Sequence, residues 1–309
     1  TSPCMDLSGL SRPVLSLDMW LHTFPGVSGV VMQYSKDQGL NWINLGALND
    51  GGVDWFNRLL IIGNPGEQQF GQVGWSGDTN TLSAAYANGR GWFRAKHNLD
   101  VLMNDTSVTL SNLRFRVAFA SGTDSTYEGV AVDNIYIGER NKVVLLEQFE
   151  NATSANSKLA YDRIHPVLQK YSPDDIIAVY YHPYFPEKDI FYIDNQSDVN
   201  SRITFYNVTS DAISVLDGNY FNGQSGFWDS TTLFARMTED APFDISITSL
   251  KSPANVMSVS ASILANQFVD SSITSVTVHM IIVERQVDST VVPNPKNKQL
   301  VYEYVMKEM

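Results

Sequence analysis

Between residues 13 and 140 apolar and polar positions alternate in short runs, at 14–21, 29–34, 42–45, 55–62, 113–119 and 129–137, with Gly, Asn and Asp between them. Alternation with a period of two puts one face of a strand in a core and the other in water, and it predicts an antiparallel β-sandwich over 1–140. The rhythm changes after Glu139-Arg140-Asn141-Lys142. An apolar run at 143–149 has the length of a buried strand. It is followed at 154–171 by Leu159, Ile164, Val167 and Leu168 at roughly helical spacing, with capping residues at 151–154. A second apolar run at 176–181 completes strand, helix, strand, the opening of a parallel βαβ unit. A helix at 197–206, a strand at 212–216 ending in Asp217-Gly218, and a helix at 227–239 extend an α/β layer over 141–240. From 241 to 309 the pattern returns to strands at 245–250, 256–264 and 276–283. The expected fold class is therefore mainly β and multidomain: a jelly-roll-like sandwich, an α/β domain, then a β-rich, sandwich-like segment.

Length supports this division, because 309 residues exceed what one hydrophobic core of about 250 residues sustains. Charged residues make up only 17% against 43% hydrophobic, so the chain reads as globular. A net charge of −12 without any Lys/Arg cluster argues against nucleic acid and anionic lipid as partners. No run of about 18 apolar residues predicts a transmembrane segment, and residues 1–10 lack the pattern of a signal peptide. The last stretch, 300–309, reads as an element still in progress, so a fragment of a longer chain is expected. Cys4 is the one cysteine, which excludes an intrachain disulfide and a cysteine zinc site.

Three sets of residues carry resemblances. Asp6 to Leu10, Pro13 to Asp18, Trp75-Ser76-Gly77, Arg114 to Phe119 and Glu128 to Ile135 resemble the MAM-like or jelly-roll modules of cell-surface and type IX-secreted proteins of Bacteroidetes. The run Val143 to Phe149 followed by Ser154-Ala155-Asn156-Ser157 resembles the thioredoxin-like domain of a Bacteroidetes outer-membrane protein family. In that family two cysteines of a CxxC motif follow the strand; here Ser154 and Ser157 hold those places, and Ala212 stands where a proline precedes the short strand and its Asp-Gly turn. Finally, Ser35-Lys36-Asp37-Gln38-Gly39-Leu40-Asn41-Trp42 follows the S-x-D-x-G-x-x-W pattern of an Asp-box, whose single copy implies a tight turn over a tryptophan.

A thioredoxin-type reaction needs one thiolate to attack a disulfide and a second thiol to resolve it, and serine does neither at neutral pH. The sequence thus predicts a degenerate redox site at Ser154, Ser157 and Ala212 and no enzyme. The jelly-roll resemblance implies a structural calcium ion, with Asp6, Glu128 and Asp133 as ligands and Asp50 and Asp54 behind them; calcium demands six to eight oxygens. The five histidines, at 22, 97, 165, 182 and 279, lack zinc spacing and read as surface or packing residues. No G-x-S-x-G elbow or phosphate-binding loop is present. Within Tyr180-Tyr181-His182-Pro183-Tyr184-Phe185-Pro186, Tyr181, Tyr184 and Phe185 are the candidates for aromatic anchors, against core packing as the plainer assignment.

The functional expectation is a non-catalytic, extracytoplasmic interaction or scaffold protein, secreted or associated with the cell surface and outer membrane, with protein partners there. The alternatives are a carbohydrate-binding module, suggested by Trp20, Trp42, Trp55, Trp75 and Trp92 in one domain, and a thiol-disulfide oxidoreductase whose cysteines have been replaced by serine.

Overall fold

A computed structural model of the chain describes residues 1–79, 91–123, 127–253, 256–266, 275–292 and 296–309. Two compact units emerge: Thr1–Arg140 with Thr231–Glu239, and Asn141–Ser230 with Asp240–Met309.

The first unit contains β1 (Pro13–His22), β2 (Gly29–Ser35), β3 (Ile43–Asn44), β4 (Trp92–Asn98), the short helix α1 (Asp100–Asn104), β5 (Arg114–Ala120) and β6 (Gly129–Glu139). They form two three-stranded antiparallel sheets, ordered β4-β1-β6 and β3-β2-β5. The alternation in β1 is literal: Leu15, Leu17, Met19 and Leu21 are buried, and Ser16, Asp18, Trp20 and His22 are only partly so. Met32 and Tyr34 of β2, Phe115 of β5 and Phe93 of β4 join the β1 residues in one apolar cluster, so the two sheets share a core. Full burial of such side chains stabilises by roughly 1.5–3 kcal/mol each.

The run at 55–62 is a loop, not the expected strand. Trp55, Phe56 and Ile61 enter the core, while Leu59, Leu60 and Ile62 are exposed. Leu60 lies in the left-handed region, φ 56°, and its N–H donates to Gly71 O at 2.9 Å, so the chain curls against residues 71–74. Conversely β4 escapes the alternation pattern because its second half, Lys96, His97 and Asn98, is polar yet buried.

In chain order the second unit holds β7 (Val144–Phe149), α2 (Ala155–Leu168), β8 (Ile176–Tyr181), α3 (Ile190–Asp194), α4 (Gln196–Tyr206), β9 (Ile213–Leu216) and β10 (Phe221–Gln224). The helix α5 (Ser230–Thr238) lies almost wholly within the stretch grouped with the first unit. Then come β11 (Phe243–Lys251), β12 (Met257–Ala265), β13 (Ile282–Asp288) and β14 (Val301–Glu308). Six strands form one sheet, ordered β10-β9-β7-β8-β14-β13. β8 runs parallel to β7 and to β14, and the remaining pairs are antiparallel. The segment after 240 therefore completes the sheet that β7 begins and forms no unit of its own, with β14 tied to α2 where His165 Nδ1 lies 2.7 Å from Glu303 Oε2. The strand expected at 276–283 starts only at Ile282. Among the described residues β11 and β12 pair only with each other.

Candidate functional site

β7 delivers Phe149 and Glu150 to the edge from which the chain turns into α2. Asn151 holds the turn: its Nδ2 donates to Pro183 O (2.8 Å) and Glu187 O (2.7 Å), and its Oδ1 accepts from Thr153 N–H (2.8 Å) and Thr153 Oγ1 (2.6 Å). Ser154 then caps α2, in extended backbone, its hydroxyl oxygen accepting the N–H groups of Asn156 (3.2 Å) and Ser157 (3.5 Å). This is the arrangement that satisfies the orphan donors of a first helical turn. Ser157 is fully buried; its Oγ accepts from Asn151 N–H at 2.9 Å and donates to Asp211 Oδ2 at 2.7 Å.

Ala212 follows Asp211 in left-handed backbone, φ 59°, and its carbonyl accepts from both Ser225 N–H (2.9 Å) and Ser225 Oγ (2.8 Å). Ser154, Ser157 and Ala212 thus meet at one corner. Asp211 joins them, and nothing in its local sequence signals this, since it pairs with a residue 54 positions earlier. Beneath the corner a buried network continues: Gln148 Nε2 donates to Ser225 Oγ (2.7 Å), and Ser214 Oγ donates to Gln148 Oε1 (2.5 Å).

Glu150 is the most perturbed group of the corner. Burial raises its pKa well above the ordinary carboxylate range, nearby Asp211 and Asp162 add to the shift, and a hydrogen bond from Gln148 opposes it. Its Oε1 finds no hydrogen-bond partner among the described residues, nor does the Tyr180 hydroxyl, whose pKa is likewise raised by burial and by Glu150. A protonated, neutral Glu150 is the form this site stabilises.

Beside Ala212 lies a groove of about 260 Å³ with Leu159, Arg163, Gln224 and Gly226 among its walls. Arg163 also borders a smaller cavity of about 100 Å³ next to Trp228. The groove presents a guanidinium, a primary amide and an aliphatic wall, whereas the two serine hydroxyls at the corner are engaged in hydrogen bonds with the chain.

The aromatic candidates separate by burial. Tyr181 is fully buried and stacked on Phe149, ring centroids 5.2 Å apart, so it is a core side chain and no surface anchor. Phe185 packs partly into the same core, and Tyr184 alone exposes its ring. Two buried histidines serve structure. His182 Nδ1 lies 2.7 Å from Asp189 Oδ2, and Asp189 also accepts the N–H groups of Ala152 and Tyr192. Burial works to raise the pKa of Asp189, but the His182 charge and these donors outweigh it and the net shift is downward. His97 Nε2 lies 3.0 Å from Asp50 Oδ2.

The carboxylates assigned to calcium do not converge. Asp6 Oδ1 caps its own turn by accepting Ser8 N–H at 2.8 Å. Glu128 precedes β6 and faces His22 at 3.4 Å, whereas Asp133 sits in mid-strand opposite Asp18, about 15 Å further along at the rise of a β-strand. Among the described residues no group of three or more His, Cys, Asp or Glu is arranged to hold a metal ion. Asp54 is in left-handed backbone, φ 48°.

The Asp-box turn has a purely structural geometry. Asp37 accepts Asn41 N–H (2.8 Å), Asn41 Nδ2 (2.7 Å) and Ser35 Oγ (2.8 Å), which lowers its pKa to about 2. Gly39 adopts φ 95° above Trp42, and the Arg116 guanidinium covers the Trp42 ring at 4.3 Å. Of the other tryptophans, Trp55 and Trp75 are core residues, and Trp20 and Trp92 face each other across β1 and β4, partly exposed.

No protein-family model, curated protein or solved structure matches this chain.

Proposed function

We propose that the chain is a non-catalytic binding protein of the cell exterior, whose second unit is a thioredoxin-like domain with its redox corner converted into fixed structure. The observation that carries this reading is the commitment of both hydroxyls: Ser157 is buried against Asp211, and Ser154 caps α2. Serine cannot replace a thiolate, and both side chains are buried, Ser157 with its hydroxyl donating to Asp211 and Ser154 with its oxygen accepting from the first turn of α2. The succession β7, α2, β8, then β9 turning at Asp217-Gly218 into β10, supports the thioredoxin-like part, because it is the order the sequence resemblance implies. The groove of about 260 Å³ beside Ala212, with Arg163 and Gln224 in its walls, is consistent with the binding part.

The reading predicts that the purified chain leaves the dithiothreitol-driven reduction of insulin at its uncatalysed rate. Acceleration of insulin precipitation by the wild-type protein would falsify it. Cross-linking in intact cells followed by quantitative mass spectrometry is expected to recover a stoichiometric cell-surface or secretion protein.

A second reading, glycan binding by the first unit, rests on one group of rings. Phe24 stacks on Tyr127 (5.7 Å, 13°), Tyr127 meets His22 edge-on at 5.0 Å, and the exposed Glu128 carboxylate stands beside them. Exposed aromatic faces next to an acceptor suit a sugar ring and its hydroxyls. A flat tryptophan-fluorescence titration with oligosaccharides would remove this reading.

A further inference from the structure

Asn156, Leu159, Arg163 and Val167 recur at intervals of three and four residues, so they form one stripe along α2. Asn156, Leu159 and Arg163 line the groove of about 260 Å³, and Arg163 and Val167 line the cavity of about 100 Å³. Gln224 and Gly226, where β10 ends, stand across the groove, and Trp228 across the smaller cavity. At the helical rise the stripe spans about 16 Å, the length of roughly five extended residues. Arg163 makes no hydrogen bond, ion pair or ring contact among the described residues, and the side-chain amides of Asn156 and Gln224 have no partner there either. Trp228 is only 4% exposed, yet its indole N–H has no acceptor among the described residues. A buried donor left in this way is uncommon in a completed structure and marks a place where a further acceptor belongs.

We propose that this track holds a short extended segment of a partner protein, with an acidic side chain against Arg163 and an apolar side chain two residues away on each side, against Leu159 and Val167. The inference rests on the reading of the second unit as a binding domain and adds the class of segment it recognises. The spacing follows from geometry: four helical residues separate Leu159 from Arg163 and Arg163 from Val167, a rise of about 6 Å each, and two extended residues advance by roughly the same distance. A guanidinium receives a carboxylate through two parallel N–H donors. Arg163 is the charged residue among the walls of the larger groove, so one carboxylate is matched there and a second is not. Asp162, its neighbour in sequence, is tied to Lys158 at 2.5 Å, and Asp229, on the wall of the smaller cavity, has an interaction of its own within the chain. The net charge of −12 is screened beyond about 8 Å at physiological salt, which leaves the guanidinium to decide at close range. A free small acid matches the charge but leaves most of the track empty.

NMR titration of the isotopically labelled full chain tests this, with acetyl-Leu-Ala-Glu-Ala-Leu-amide as the probe and its Gln counterpart and isovalerate as controls. The Glu peptide is expected to shift the Trp228 indole N–H and the backbone amides of 156–167 with a Kd of ~0.1–1 mM. The Gln peptide should bind about fivefold more weakly. Arg163→Gln should remove that difference, and Arg163→Lys should retain part of it. Absence of any shift at these positions up to ~10 mM Glu peptide would overturn the proposal. So would a preference for Glu that survives Arg163→Gln, or isovalerate binding as tightly as the Glu peptide. None of these outcomes touches the broader reading of the second unit, which fails instead if the chain accelerates insulin reduction.

Discussion

In the first unit the central strand β1 turns Leu15, Leu17, Met19 and Leu21 into an apolar core; in the second the central strand β7 carries Glu147 and Gln148, both fully buried. Glu147 is met by a pair of Arg202 donors, Nε at 2.6 Å and Nη2 at 2.9 Å, and by the Tyr206 hydroxyl at 2.5 Å. Gln148, on the other face of the strand, enters the serine network beneath Ala212. The sandwich is stabilised by area, which is non-directional and degrades gradually when side chains change. The second unit depends on hydrogen-bond geometry, where a lost partner leaves a buried charge uncompensated.

The largest test of that contrast sets Arg202→Ala against Leu17→Ala. Removing Arg202 strands Glu147 in the interior and is expected to cost about 3–5 kcal/mol. Truncating Leu17 removes apolar contact and opens a cavity for about 3 kcal/mol. Hydrogen exchange should locate the first loss within 141–230 and the second within 1–140. A double change of Glu147→Leu with Arg202→Met should recover most of the stability lost by Arg202→Ala. Failure to recover it would mean that shape, and not the stranded charge, dominates.

Glu150 gives a smaller effect with a defined sign. Its folded pKa is raised, so the folded state holds a proton that the unfolded chain releases near pH 4.3. Its contribution is present below that value and is lost as pH rises toward the raised pKa, by up to about 1.4 kcal/mol per pH unit. Glu150→Gln should flatten this part of the Tm–pH profile and raise Tm at neutral pH. A profile unchanged by the substitution would show that Glu150 does not hold that proton.

Least disruptive is Gly39→Ala. The backbone at φ 95° and a new Cβ only 3.3 Å from the Trp42 ring disfavour alanine by about 1 kcal/mol, with the loss confined to the first unit. A neutral result in thermal unfolding would show that the turn relaxes.

How much of this was legible in the chain differs between the same two regions. In the sandwich, period-two alternation marked β1, β2, β5 and β6, but the apolar run at 55–62 misled, because three of its side chains serve as anchors of a loop. In the second unit β7, α2 and β8 were readable from run length, spacing and the capping serine. The candidate corner was readable only in part. Ser154 and Ser157 stand at a helix start and Ala212 before a strand, while Asp211, Glu150 and the Gln148 network acquire their roles only from what is packed against them.

The sequence by itself determined the local elements: alternation for the strands, helical spacing and a cap for α2, the Asp-box turn around Gly39. Those depend on residues a few positions apart and on backbone sterics. Only the tertiary structure decided that β14 inserts beside β8 and that Ser157 meets Asp211. It also decided that Tyr181 is core and that Glu147 is neutralised by Arg202 from 55 positions away. Such pairings carry no local period, because their energy comes from removing two distant groups from water together.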